Sequence, residues 1–162
     1  MFRMDKFMNY KMDLTRTEED YLEAIYNIIL RKGYARTKDI SVELEVSPPS
    51  VTGMLKKLND KGLVKYEKYS GVTLTREGER VGRSVKTRHD TIKTLLKIIL
   101  VSDKTADRDA CKLEHELSPE TVEQLTRFVR FVESAPMHPK WLEHFREFCR
   151  TGEYICDYKE KD

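Results

Sequence analysis

Three cysteines in 162 residues are too few for a disulfide framework in a chain of this kind, which leaves thiol or metal chemistry open for them. No apolar run approaches the length of a membrane span, and the N-terminus lacks the uninterrupted hydrophobic core of a signal peptide. The expectation is therefore a cytoplasmic protein with no membrane partner. There is no glycine-rich phosphate loop, no internal repeat and no low-complexity segment. A large charge imbalance is lacking too, at a net +2, but its distribution is uneven. Residues 36–88 hold 12 Lys and Arg against 7 Asp and Glu, and the remainder holds 18 against 21. The basic excess thus sits on one unit, as a phosphate backbone would require.

That unit contains the most informative stretch, Ser47-Pro-Pro-Ser-Val-Thr-Gly-Met, continued by Leu55, Lys56, Lys57 and Leu58. Ser47 is a good N-cap, and Pro48 suits the first helical position, where a missing N–H costs nothing. Val51, Met54, Leu55 and Leu58 recur at helical spacing, so Ser50, Thr52, Gly53, Lys56 and Lys57 fall on the opposite face. A small, polar and basic outer face lets a backbone approach base edges while lysines reach phosphates. Gly62 stops the helix. Residues 37–46 make a shorter helix with Ile40, Leu44 and Val46 inward, a tight turn away from the first, which is helix-turn-helix spacing. Residues 63–75 alternate around Ser70-Gly71 and read as a hairpin, placed where a wing would be. Candidate DNA-binding residues are Arg36, Lys38, Ser47, Pro49, Ser50, Thr52, Lys56, Lys57 and Lys68.

Along the rest of the chain, residues 1–14 are a polar, methionine-rich arm, and Met1, Met4, Met8 and Met12 leave the translation start open. Residues 15–31 form a helix closed by Gly33, with Asp20 and Glu23 neighbours on one face. Taken alone, these acids read as partners of the helix dipole. Residues 75–100 form a long helix whose stripe of Val85, His89, Ile92, Leu96 and Ile99 puts a histidine in line with core residues. In the helix of residues 103–117, Cys111, Glu114 and His115 stand at i, i+3 and i+4, bringing thiol, carboxylate and imidazole to one face. Such spacing suits a helix-borne metal site; the other reading is a capped helix end with an incidental histidine. For Cys111 the competing expectation is a small buried hydrophobe. Ser118 caps a helix with Val122, Leu125, Phe128, Val129 and Val132 on one stripe, more apolar surface than a two-helix module needs unless it dimerises. Pro136 and Pro139 break the chain before an amphipathic tail helix carrying Trp141, Leu142, Phe145 and Phe148. Cys149, Cys156, His138 and His144 make a weak case for a metal site there, and helix docking is the better reading.

Thr17-Glu-Glu-Asp-Tyr-Leu-Glu-Ala-Ile-Tyr26, the Ser-Pro-Pro-Ser-Val-Thr run, Arg88-His89 and Cys111-Lys-Leu-Glu-His-Glu-Leu-Ser118 together resemble the diphtheria-toxin-repressor family of metal-dependent regulators. The likeness runs in order over about 120 residues and is nearest to the manganese transport regulator branch. It implies a mainly α protein, with a winged helix-turn-helix at residues 15–75, an all-helical dimerisation and metal-binding domain at 76–134, and a helical tail at 135–162. It also implies that Asp20, Glu23, His89, Glu114 and His115 ligate metal, with Cys111 at a sixth position where the manganese branch has glutamate and the iron branch cysteine. The iron branch has methionine where this chain has Asp20, so the chain is a hybrid. Lys93 and Asp107 stand where the iron branch's ancillary site carries Glu and His, and residues 135–162 are too few for that branch's SH3-like domain.

The implied function is a homodimeric repressor of metal uptake. It binds a double-stranded, palindromic operator when loaded with Mn(II) or Fe(II), with Zn(II) and Co(II) as further candidates. Two other classes remain open on the sequence. One is a winged-helix regulator of an organic ligand; the other is a metal-dependent hydrolase with Glu114 as base, for which no oxyanion site is evident. The expectation is that the chain is not an enzyme.

Overall fold

A computed structural model describes residues 14–67, 71–137 and 139–154. Lys68, His138, Cys156 and all of the N-terminal arm except Leu14 lie outside them. In chain order the elements are α1 (Arg16–Lys32), α2 (Thr37–Glu43), α3 (Pro48–Asp60), β1 (Val64–Glu67), β2 (Gly71–Leu74), α4 (Arg76–Ile98), α5 (Asp103–Leu113), α6 (Pro119–Glu133) and α7 (Lys140–Thr151). The protein is mainly α, with a winged helix followed by helices, as the sequence predicts.

Of the local signals, Gly33, Ser47 and Ser118 act where expected, and Thr15 and Thr75 add caps not anticipated from the sequence. Thr15 accepts from the Glu18 amide while Glu18 answers the Thr15 amide, a reciprocal capping box that starts α1. Gly33 closes α1 in the left-handed conformation, at φ 80°. Ser47, Thr75 and Ser118 each cap the helix that follows. The β1–β2 hairpin is antiparallel, pairing Val64 with Leu74 and Glu67 with Gly71. Ala35 adds an isolated bridge to Val72, fastening the wing to the end of α1.

Tyr21, Leu22, Ile25 and Ile28 of α1 meet Ile40, Val51, Leu55, Leu58, Val72, Val81 and Val85 in one core that runs from the winged helix into α4. Two glycines of α4 make that continuity fit. A Cβ on Gly78 would lie 1.9 Å from the Leu63 carbonyl oxygen, and one on Gly82 would lie 2.6 Å from the Leu22 carbonyl oxygen. Both contacts are with backbone, which cannot swing away, so α4 can pass Leu63 and α1 this closely only without side chains there. His89, two turns beyond Gly82, is thereby carried alongside the first turns of α1.

Three expectations need correcting. The helix predicted to reach residue 46 ends at Glu43, and Glu45 takes φ 53° in the turn to α3. The helix predicted to reach residue 117 ends at Leu113, after which the Glu116 and Leu117 amides both bond to the Leu113 carbonyl. Ile99, placed on the inward stripe of α4, is the C-cap and 46% exposed. On α6, Val122 and Val129 are buried whereas Phe128 and Phe131 face outward. Trp141 of α7 packs on Phe128, ring centroids 6.1 Å apart, and Leu142 is buried, so the tail helix docks on α6.

Candidate metal centre and DNA-binding surface

The six candidate ligands come from three separated segments: Asp20 and Glu23 from α1, His89 from α4, and Cys111, Glu114 and His115 from the end of α5 and the turn after it. Glu114 is the hub. Its side chain is buried, with Oε2 2.9 Å from His89 Nδ1 and Oε1 3.2 Å from His115 Nε2. Ligand atoms of His89, Cys111 and Glu114 lie within 4.8 Å of one another, and so do those of Asp20, Glu114 and His115. The i, i+3, i+4 trio therefore does not close on one point as a regular helix would have it. Cys111, still within α5, approaches His89, and His115, in the turn after α5, approaches Asp20.

Cys111 is exposed, so it is not the buried hydrophobe of the competing expectation; its Sγ lies 3.7 Å from His89 Nδ1. The Arg16 guanidinium donates to the Cys111 carbonyl at 3.1 Å, binding the start of α1 to α5. Two acids beside the expected set also take part. Glu19 accepts from His115 Nδ1 at 2.8 Å and from Arg88 at 2.9 Å, and Asp107 lies 3.4 Å from His89 Nε2. The Lys93 ammonium sits 2.6 Å from Asp107, so this pair forms a salt bridge between α4 and α5. Glu19 is visible in sequence only as one of three consecutive acids, and nothing local marks its partner. Among the described residues, the expected ligand Glu23 joins neither cluster, nor do His144 and Cys149.

Charge explains why the site suits a cation. Burial works against a charged His115, yet Asp20, Glu114 and Glu19 outweigh it and bring the imidazole up to about 11. Contact with Cys111 and then Glu114 outweighs burial of His89 and brings it, too, to about 11. Burial and the neighbouring Glu114 charge push the Glu23 carboxyl up to about 7. The carboxylates are thus balanced by protons on two imidazoles, a role that a divalent ion can take over.

Geometry agrees with the charge. His115 Nε2 is buried without a well-formed hydrogen bond, although Asp20 Oδ1 is 2.8 Å away. Two ligands at right angles around an ion, each about 2.1 Å from it, lie about 3 Å apart. The separations of 2.8 Å and 3.2 Å from Nε2 match that figure. The residues present therefore fit a divalent transition metal.

On the opposite side of α1, Ser47, Pro49, Ser50, Lys56 and Lys57 are exposed on α3, and Thr52 is half-buried. The Ser47 and Ser50 hydroxyls lie 2.8 Å apart, and the Thr52 hydroxyl donates to the Pro48 carbonyl at 3.1 Å. Arg36 and Lys38 are exposed at the start of α2, with the Arg36 guanidinium over the Tyr34 ring at 5.1 Å. Lys57 is drawn back to Glu18 at 3.2 Å, which the sequence does not announce.

A winged helix whose exposed, basic helix is packed on the same α1 that supplies carboxylates to a histidine cluster defines a class: a DNA-binding regulator with a metal-responsive core. Residues 13–72 match the family model described as iron dependent repressor, N-terminal DNA binding domain, and residues 75–143 match iron dependent repressor, metal binding and dimerisation domain. An HTH-type transcriptional regulator MntR from Lysinibacillus sphaericus is 40% identical over 129 residues, 80% of this chain and 93% of that protein. The solved manganese regulator SloR superposes with a TM-score of 0.62 at 32% identity, over 73% of this chain and 55% of that one. ScaR with bound Cd2+ gives 0.58 at 30% identity, over 70% of this chain and 54% of that one. This chain thus spans only about half of either solved regulator. The chain belongs to the iron-dependent-repressor family, and is a metal-dependent DNA-binding transcriptional regulator rather than an enzyme. The hydrolase reading is thereby set aside. No helix among the described residues is long and apolar enough to cross a membrane.

Proposed function

We propose that this protein is a cytoplasmic, homodimeric repressor of metal-uptake genes that grips a palindromic operator when Asp20, Glu23, His89, Cys111, Glu114 and His115 hold Mn(II) or Fe(II). The observation that carries this reading is the position of buried Glu114, which meets both histidines while His115 reaches Asp20 of α1. Oxygen-rich ligation with imidazole suits Mn(II) and Fe(II), and the Cys111 thiol adds affinity for softer ions such as Zn(II) and Co(II). The name of SloR as a manganese regulator and the family description as iron dependent repressor support the first pair, and a relative that accommodates Cd2+ supports the second. Bound metal supplies a cationic tie between α1 and the α4–α5 unit, and the protein's own contacts set where α3 then stands.

In this reading residues 15–75 bind DNA and 76–134 bind metal and dimerise, while α7 packs Trp141 on Phe128 of α6. The test uses a duplex selected from a random pool by the Mn(II)-loaded protein. Chelator-treated protein titrated with Mn(II), Fe(II), Zn(II) and Co(II) should bind it more tightly once metal is added. Equal binding with and without metal would favour a regulator of another ligand.

Arg36, Lys38, Ser47, Pro49, Ser50, Thr52, Lys56 and Lys57 are the proposed DNA-facing set; Lys68, expected with them from the sequence, lies outside the described residues. Lys56 is exposed and has no ion pair among the described residues, whereas Lys57 is half engaged by Glu18. Lys56→Ala should therefore reduce the salt slope of DNA binding by about one counterion, and Lys57→Ala by less. Anisotropy titrations across a KCl series read this directly, and an unchanged slope for Lys56→Ala would place α3 with the wrong face to DNA.

Dimerisation should not wait for metal. Ile99, Leu100, Phe128 and Phe131 are between 39% and 64% exposed in the single chain. Covering such side chains contributes about 1.5–3 kcal/mol each when burial is complete. The chelated protein is expected to sediment as a dimer at micromolar concentration; a monomer there would contradict the proposal.

A further inference from the structure

Three consecutive acids in the first turns of α1 point in different directions, because successive residues on a helix are turned by 100°. Glu19 and Asp20 reach the histidine cluster, through His115 at 2.8 Å in each case. Glu18, two residues before Asp20 and so about 200° around the helix, faces away from that cluster and toward α3. It is fully buried, a rare state for a carboxylate unless its charge is matched. One oxygen, Oε2, accepts from the Thr15 amide at 2.8 Å and fixes the start of α1. The other, Oε1, meets Lys61 Nζ at 2.7 Å and Lys57 Nζ at 3.2 Å, both from the C-terminal end of α3. No other ion pair joins α1 to α3 among the described residues.

We propose that Glu18 is the positioning residue through which the metal centre sets the recognition helix: the first turn of α1 holds the ligand cluster on one side and, through the Glu18 carboxylate, the end of α3 on the other. This deepens the proposed function and rests on it. The physical basis is rigidity. Asp20 and Glu18 share one helical turn closed by the Thr15–Glu18 capping box, so the backbone cannot shift at Asp20 and stay still at Glu18. Lys57 and Lys61 follow, since leaving a buried carboxylate without its cations is strongly unfavourable. Glu18 touches neither metal nor DNA; it acts through Lys57, Lys61 and the turn it caps.

The test compares wild type, Glu18→Gln and Lys61→Met on the duplex selected from a random pool by the Mn(II)-loaded wild-type protein. Glutamine keeps the shape and the acceptor for the Thr15 amide. Lys61→Met leaves the α1 cap untouched, so it carries the test should Glu18→Gln fail to fold. Two quantities are measured for each: the affinity for Mn(II) without DNA, by calorimetry, and the ratio of DNA affinities with and without Mn(II). In wild type that ratio should fall within ~5–150, the ordinary range of coupling between sites. In either variant it should drop below ~3 while the Mn(II) affinity stays within ~3-fold of wild type. A residue needed only for folding would weaken DNA binding equally in both states and leave the ratio intact, which would overturn the inference. So would a variant that lost Mn(II) affinity in proportion. Absence of any metal dependence in wild type would instead refute the functional reading on which the inference stands.

Discussion

Glu114→Gln should abolish metal-dependent DNA binding and lower Mn(II) affinity to or beyond the upper end of the ~10–100-fold range that loss of an outer-shell partner costs. The effect is expected to be the largest of any single ligand, because Glu114 is the one side chain common to both ligand clusters. Its two oxygens address different histidines, so the amide removes the shared charge and sets an NH2 group against one imidazole or the other. The protons involved give a second readout. His89 and His115 are held up to about 11 and Glu23 up to about 7, so near neutral pH the metal-free site carries protons that a bound ion must displace. Metal loading of wild type should therefore release protons to buffer, and affinity should rise between pH 6 and 8 by about tenfold per pH unit for each proton displaced. Calorimetry in buffers of different ionisation enthalpy measures the release. Full Mn(II)-dependent DNA binding by Glu114→Gln would show that the cluster is not the sensor.

Replacing Cys111 should alter which metal is sensed rather than whether one is. Its thiol is exposed and 3.7 Å from His89 Nδ1, within the same cluster as Glu114. Cys111→Glu would make the set all oxygen and imidazole, and the preference for Zn(II) over Mn(II) should fall by about tenfold or more, since thiolate is the ligand that favours the softer ion. Cys111→Ala should weaken every metal, and Zn(II) most. Alkylation offers a check on wild type. Bound Zn(II) should slow labelling of Cys111, while Cys149, exposed on α7 and outside the clusters, should label at the same rate with or without metal. Unchanged selectivity in Cys111→Glu, with labelling indifferent to metal, would remove Cys111 from the ligand set.

What the sequence discloses is what neighbours along the chain decide. Ser47 and Ser118 cap their helices and Gly33 ends α1 because those signals act within one turn. The apolar stripe of α3 buries Val51, Leu55 and Leu58 as its spacing predicts. The six candidate ligands are recognisable as a set only through the family likeness, for no periodicity joins Asp20 to His115 across 95 positions. What stays hidden is decided by partners distant in sequence. Amphipathicity places Lys57 on the outer face of α3 but cannot say that Glu18 lies beneath it. Nothing local marks Gly78 and Gly82, and only the close passage of α4 by Leu63 and α1 explains them. The end of α5 at Leu113 has no glycine or proline to mark it; the buried contacts of Glu114 and His115 lie just beyond. Glu19 was missed for the same reason, since its partners Arg88 and His115 come from other segments.

The most direct measurement is anomalous scattering from crystals of the Mn(II)-loaded protein, recorded on both sides of the manganese absorption edge. The expected result is a manganese peak bounded by Asp20, Glu114 and His115, on the side of α1 opposite Glu18. Absence of a peak between those three residues at full metal loading, with manganese found only elsewhere, would contradict the claim that α1 is tied to the α4–α5 unit through metal.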